Sequence, residues 1–82
     1  MQVKKVQLSE EESKLLRTLA RGGVMSPSRV SVETLILPGE TRKLLKGLAD
    51  VGLVLLRDDL DSLDGQLVVL TAQARDFLAL ET

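Results

Sequence analysis

Ser26-Pro27-Ser28-Arg29-Val30, followed through Leu44-Leu45 and Leu48 to Val51-Gly52-Leu53-Val54, is the stretch on which the fold turns. Ser26 suits a helix cap, because its hydroxyl accepts from an amide of the first turn. Pro27 suits the first helical position, where no amide hydrogen is needed. Pro38-Gly39 then breaks the chain. From Glu40 to Val51, Leu44, Leu45, Leu48 and Val51 recur on one helical face, and Arg42, Lys43, Lys46 and Asp50 take the other. Gly52 stops that helix, and Leu53-Val54-Leu55-Leu56 reads as a buried strand. Between the cap and the breaker the signals compete. Val30, Val32, Thr34 and Ile36 alternate and are β-branched, a strand pattern. Val32, Leu35 and Ile36 also fit a helical face, and the cap favours a helix.

Upstream, Ser9-Glu10-Glu11-Glu12 is a capping box with acidic residues placed to suit the helix dipole. Leu15, Leu16, Leu19 and Ala20 follow at helical spacing, Lys14, Arg17 and Arg21 lie on the polar side, and Gly22-Gly23 ends the helix. Val3, Val6 and Leu8 form a lead-in expected to pack on the body. Val24-Met25 suits a short strand. Downstream, residues 57–65 form a polar loop whose Asp64-Gly65 is a hairpin turn signal, Gln66 to Leu70 returns as a second strand, and Thr71 caps a last helix reaching about Leu80. Ala74, Phe77 and Leu78 are expected on its inner face.

The 82 residues are 44% hydrophobic and 28% charged, so they suit one folded domain spanning 1–82 with its core at about 8–80. Phe77 is the lone aromatic, so no platform exists for stacking single-stranded bases. Cys and His are absent, which removes disulfides, thiolate metal sites and the commonest general base. Serines and threonines therefore lack a His base, the glycines match no phosphate-loop spacing, and no catalytic residue, metal site or cofactor is expected. No apolar run is long enough for a membrane span, and no signal peptide precedes the first helix, so the expected location is cytoplasmic. Met1 is read as a natural start; the C-terminal end carries no such mark. The net charge of −1 is unevenly placed, with basic residues concentrated before position 48 and acidic ones after it.

The order of helix, short strand, helix, turn, helix, strand, loop, strand and helix is similar to the winged helix-turn-helix family, over roughly residues 8–80. Ser26 to Ser31 resembles the opening of the family's second helix, with Ser31 small where that helix passes close to the third. Leu48-Ala49-Asp50-Val51-Gly52-Leu53-Val54 resembles the end of the recognition helix and its exit. Asp64-Gly65-Gln66-Leu67-Val68-Val69-Leu70-Thr71 resembles the second wing strand and the start of the next helix. The resemblance implies an α+β, mostly α fold with a three-helix core, a β-hairpin wing and a C-terminal helix. It also tips Arg29 to Leu35 toward a helix. Two features depart from the family: the apolar turn Leu35-Ile36-Leu37, and a wing in which Arg57 faces Asp58, Asp59, Asp61 and Asp64. Carboxylates repel a phosphate backbone.

The resemblance implies a DNA-binding transcriptional regulator or genome-associated accessory factor, with its third helix in the major groove of double-stranded DNA. Arg42, Lys43 and Lys46 are then the base and phosphate contacts, against the ordinary explanation of a solvated helix face. Ser28, Arg29 and Thr41 are candidate phosphate contacts near helix starts, against capping and solvation. Lys4, Lys5, Lys14, Arg17 and Arg21 are read as solvated. The alternative is a winged-helix protein-interaction module that uses its acidic wing, facing a basic partner, and its apolar turn, and binds no DNA. The acidic loop lacks calcium-loop spacing and is more simply a solvated hairpin tip. A homodimer through the C-terminal helix is a further expectation, with Phe77 assigned to the core and Leu80 left open.

Overall fold

The computed structural model describes residues 8–62 and 64–81. The expected lead-in at Val3 and Val6, with Lys4 and Lys5, lies outside the described residues. So do Leu63 and Thr82.

Ser9 opens α1 (Glu10–Gly22) with a reciprocal cap. Its hydroxyl accepts from the Glu12 amide at 3.1 Å, and its own amide donates to the Glu12 carboxylate at 2.8 Å. These bonds satisfy amides that a helix start leaves without partners. Leu15, Leu16 and Leu19 are fully buried along one face. Ala20, expected with them, is exposed; Thr18 is buried in its place. Leu8 packs half-buried against the same core.

The contested segment is a helix, α2 (Pro27–Thr34). Ser26 accepts from the Arg29 amide at 3.2 Å, and Pro27 follows as the first helical residue. The cap and the burial of Val30, Ser31 and Thr34 against neighbouring helices outweigh the β-branched pattern. The helix stops at Leu35, which holds a left-handed backbone with φ 63°. A side chain in that region is strained by roughly 1–2 kcal/mol.

The next helix, α3 (Pro38–Asp50), begins at the breaker itself rather than at Glu40. Proline lacks the amide hydrogen that a first turn cannot use, so it starts this helix instead of merely ending the turn. Thr41, Leu45 and Leu48 are buried, and Leu44 is half-buried. Val51, expected inward, is 47% exposed because the helix has already ended and the chain turns through Gly52 at φ 82°.

The strands β1 (Val54–Asp58) and β2 (Gln66–Leu70) pair antiparallel, Val54 opposite Leu70 and Asp58 opposite Gln66. Ladder pairing thus carries Arg57 and Asp58, expected in the loop, into the first strand. The loop closes with the Asp59 amide on the Gly65 carbonyl at 2.9 Å, so Asp64-Gly65 ends a longer loop instead of forming a two-residue turn. Val24-Met25 forms no full strand; Met25 alone bridges Val68, with one bond of 2.8 Å and one of 3.4 Å.

Thr71 joins the hairpin root to α4 (Ala72–Glu81). Its hydroxyl lies 2.8 Å from the Gly52 carbonyl and 3.1 Å from that of Leu53, and it accepts from the Ala74 amide at 3.1 Å. Ala74 is buried, whereas Phe77 and Leu78 are only half-buried and Leu80 is 87% exposed. The core gathers Leu15, Leu16, Leu19, Val30, Leu45, Leu48, Leu53, Val54, Val68 and Ala74, with every element contributing. No helix among the described residues is long and apolar enough to cross a membrane.

Candidate nucleic-acid interface

The turn between α2 and α3 is set by buried hydroxyls around one residue. Ile36 offers its carbonyl to the hydroxyls of Ser31 and Thr41, the latter at 3.2 Å. Its amide donates to the Thr34 hydroxyl at 3.3 Å, and that hydroxyl donates in turn to the Val30 carbonyl at 2.8 Å. A peptide group buried between two helices would otherwise lack partners, at a cost of about 1–3 kcal/mol for each polar atom left alone. The Ile36 side chain is buried, while Leu35 and Leu37 on either side are 88% and 76% exposed. The apolar turn is thus split: one residue anchors it and two face outward.

This arrangement corrects one candidate. Thr41 is fully buried, and its hydroxyl is bonded to Ile36. It faces the turn, not the outer surface, so it is not available to a phosphate. Spacing alone suggested a helix start; it could not show that the hydroxyl is used inward.

The other basic candidates fall on the outside. Arg42, Lys43 and Lys46 are exposed on α3, and among the described residues no hydrogen bond or ion pair engages them. Arg42 and Lys46 are one turn apart on one face. They border a shallow groove of about 300 Å³ between α3 and the hairpin, whose other walls are Pro27, Leu45, Leu56 and Gln66. Arg29 is exposed at the start of α2, where its Nε donates to Glu33 at 2.9 Å. That pair keeps the guanidinium along its own helix.

Ser28 is engaged by a residue that sequence reasoning assigned only to the hairpin tip. The Ser28 amide donates to Asp64 Oδ2 at 2.6 Å, and its hydroxyl donates to Oδ1 at 2.7 Å. The Asp64 carboxyl is held below its ordinary value of 3.8, first by the Ser28 hydroxyl and then by the Ser28 amide. Partial burial opposes this, and the Arg42 charge adds a smaller lowering. No local pattern announces a bond between residues 36 positions apart. Elsewhere in the loop, the Ser62 hydroxyl donates to the Gln66 carbonyl at 2.8 Å. Asp58 and Asp61 remain exposed. Among the described residues no group of three or more carboxylates is placed to share a metal ion.

A three-helix core whose second and third helices form a helix-turn-helix, followed by an antiparallel hairpin packed beside the third helix, defines a winged helix-turn-helix fold. No protein-family model matches the chain, and no curated protein sequence matches it. Solved structures do. The chain is similar to BpsR of Bordetella bronchiseptica, whose DNA binding is regulated by 6-hydroxynicotinic acid, with TM-score 0.83 and 23% identity over 90% of this chain and 53% of that one. It is similar to a MarR family transcriptional regulator from Silicibacter pomeroyi, with TM-score 0.80 and 22% identity over 90% of this chain and 48% of that one. It is also similar to ZitR of Lactococcus lactis, with TM-score 0.80 and 20% identity over 99% of this chain and 55% of that one. The chain spans about half the length of these structures.

Proposed function

We propose that this chain is a DNA-binding winged-helix domain of a transcriptional regulator or a genome-associated factor, acting in the cytoplasm. The observation that carries the reading is the cationic side of α3: Arg42, Lys43 and Lys46 are exposed and unengaged among the described residues, beside the groove against the wing. In this reading α3 enters the major groove, Arg42 and Lys46 contact base edges or phosphates, and Lys43 contacts phosphate. Ser28 and Arg29 of α2 are the further candidate phosphate contacts in this reading. The fold shared with regulators supports this assignment by analogy. Fluorescence anisotropy with a labelled mixed-sequence duplex at low salt tests it. Binding should weaken with salt and largely disappear in the double variant Arg42→Ala, Lys46→Ala. Absence of binding at low salt refutes it.

The exposed Val32, Leu35 and Leu37 favour a second reading, in which the domain docks on another protein through the helix-turn-helix face and does not read DNA. The acidic wing would then meet a basic partner. Replacement of all three with polar residues should abolish capture of a partner in that case, and should leave duplex binding unchanged in the first. Pairing of two copies through α4 is a related proposal, supported by the outward-facing Leu80. Light scattering of the wild type against Leu80→Glu checks it.

A further inference from the structure

Ser28 opens α2 and Asp64 sits at the wing tip, yet the two form one unit. Both carboxylate oxygens are used, Oδ2 by the backbone amide and Oδ1 by the hydroxyl. The first turn of a helix carries amides that no carbonyl of the helix can satisfy, and it favours negative charge. The charge of Arg42 on α3 adds a small further preference for the ionised carboxylate. Asp64 therefore joins two elements directly, the wing and the start of α2. Asp61 in the same loop is exposed, and no hydrogen bond engages its carboxylate among the described residues.

A phosphate of a duplex lying across this edge would seek the same donors. The Ser28 amide, the Ser28 hydroxyl and the Arg42 guanidinium suit a phosphate oxygen as well as they suit a carboxylate. The two Ser28 donors are not free. We propose that Asp64 is an autoinhibitory clasp, a carboxylate of the chain's own wing that holds the Ser28 donors, and that duplex binding must displace it. The inference rests on the DNA-binding reading. It also accounts for how an acidic wing can coexist with a cationic α3: part of the wing's charge is spent on closing the interface rather than on facing solvent.

The test compares wild type with Asp64→Asn, Asp61→Asn and the double variant Arg42→Ala, Lys46→Ala in duplex anisotropy at several salt concentrations. Asp64→Asn and Asp61→Asn remove the same charge from the same loop, but only the first loosens the clasp. Asp64→Asn should bind about tenfold tighter than wild type, with a salt slope steeper by about one, as expected for one added phosphate contact. Asp61→Asn should gain less than about threefold through the general field alone. If the two gain equally, or if Asp64→Asn binds no better than wild type while the double variant loses binding, the clasp is overturned and the DNA-binding reading stands. If wild type, Asp64→Asn and Asp61→Asn all fail to bind at low salt, both are overturned. A measurement on the unaltered chain guards against misfolding of the variant: the Asp64 side-chain carboxyl carbon, followed by NMR, should shift on saturation with duplex. An unchanged resonance in the saturated complex overturns the clasp.

Discussion

The hydroxyl of Thr41 in α3 donates to the carbonyl of Ile36 in the turn, at 3.2 Å and out of contact with solvent. Ser31 of α2 donates to the same carbonyl, so one peptide group ties two helices into a fixed crossing. The crossing decides which residues of α3 point outward, and hence which cations a duplex would meet. Thr41→Val keeps the shape and removes the donor, and should destabilise the fold by about 1 kcal/mol. Thr41→Ala should cost more, about 2 kcal/mol, since it also opens a small void. Urea denaturation checks both. A variant that weakens duplex binding at full stability would return Thr41 to the interface.

Leu35 makes an opposite case. Its backbone is left-handed at φ 63°, and its side chain is 88% exposed, so little packing offsets the strain. Leu35→Gly should raise stability by about 0.5 kcal/mol, the relief of strain exceeding the added freedom of the unfolded chain. A fall in thermal midpoint would mean that the leucine makes contacts of value.

The Asp64 clasp has a pH signature. Its carboxyl titrates below the ordinary value of 3.8 in the folded chain, chiefly because the Ser28 hydroxyl and amide bond the charged form. The unfolded chain binds that proton at higher pH. The clasp's contribution is therefore complete above the ordinary value and is lost as pH falls through the folded-state value. The stability gap between wild type and Asp64→Asn should be constant near neutrality and shrink below about pH 4. Denaturant midpoints taken across that range check it, and a gap that widens on acidification contradicts the assignment.

On α3, Arg42 and Lys46 should behave differently from the buried positions. Lys46→Ala should leave stability within about 0.5 kcal/mol, as for other exposed sites. It should lower the salt slope of duplex binding by about one if the lysine meets a phosphate. Arg42→Ala should do the same and should also relax discrimination among sequences if the guanidinium reads a guanine. A panel of duplexes titrated at two salt concentrations separates these outcomes.

Leu48 tests the core that carries this surface. It is 1% exposed between α3 and the other core elements, and Leu48→Ala should cost about 2–5 kcal/mol. In a chain of 82 residues that loss approaches the whole stability, so the variant should show a strongly lowered or absent thermal transition.

The sequence by itself determined the elements whose signals are local. The Ser9–Glu12 box, the Ser26-Pro27 start, the apolar spacing of Leu45 and Leu48 and the second strand Gln66–Leu70 all act within a few residues, and all stand in the structure. The ambiguity of residues 29–37 was real at that level, because β-branched alternation and a helix cap are both local and they disagree. Only tertiary structure decided it, through burial of Val30, Ser31 and Thr34 and the hydroxyls gathered on Ile36. The same holds for the candidate interface. Arg42, Lys43 and Lys46 were legible as an exposed face because helical period sorts sides. The inward use of Thr41 and the bond between Ser28 and Asp64 were not, because a hydroxyl or a carboxylate carries no mark of the distant partner that folding brings to it.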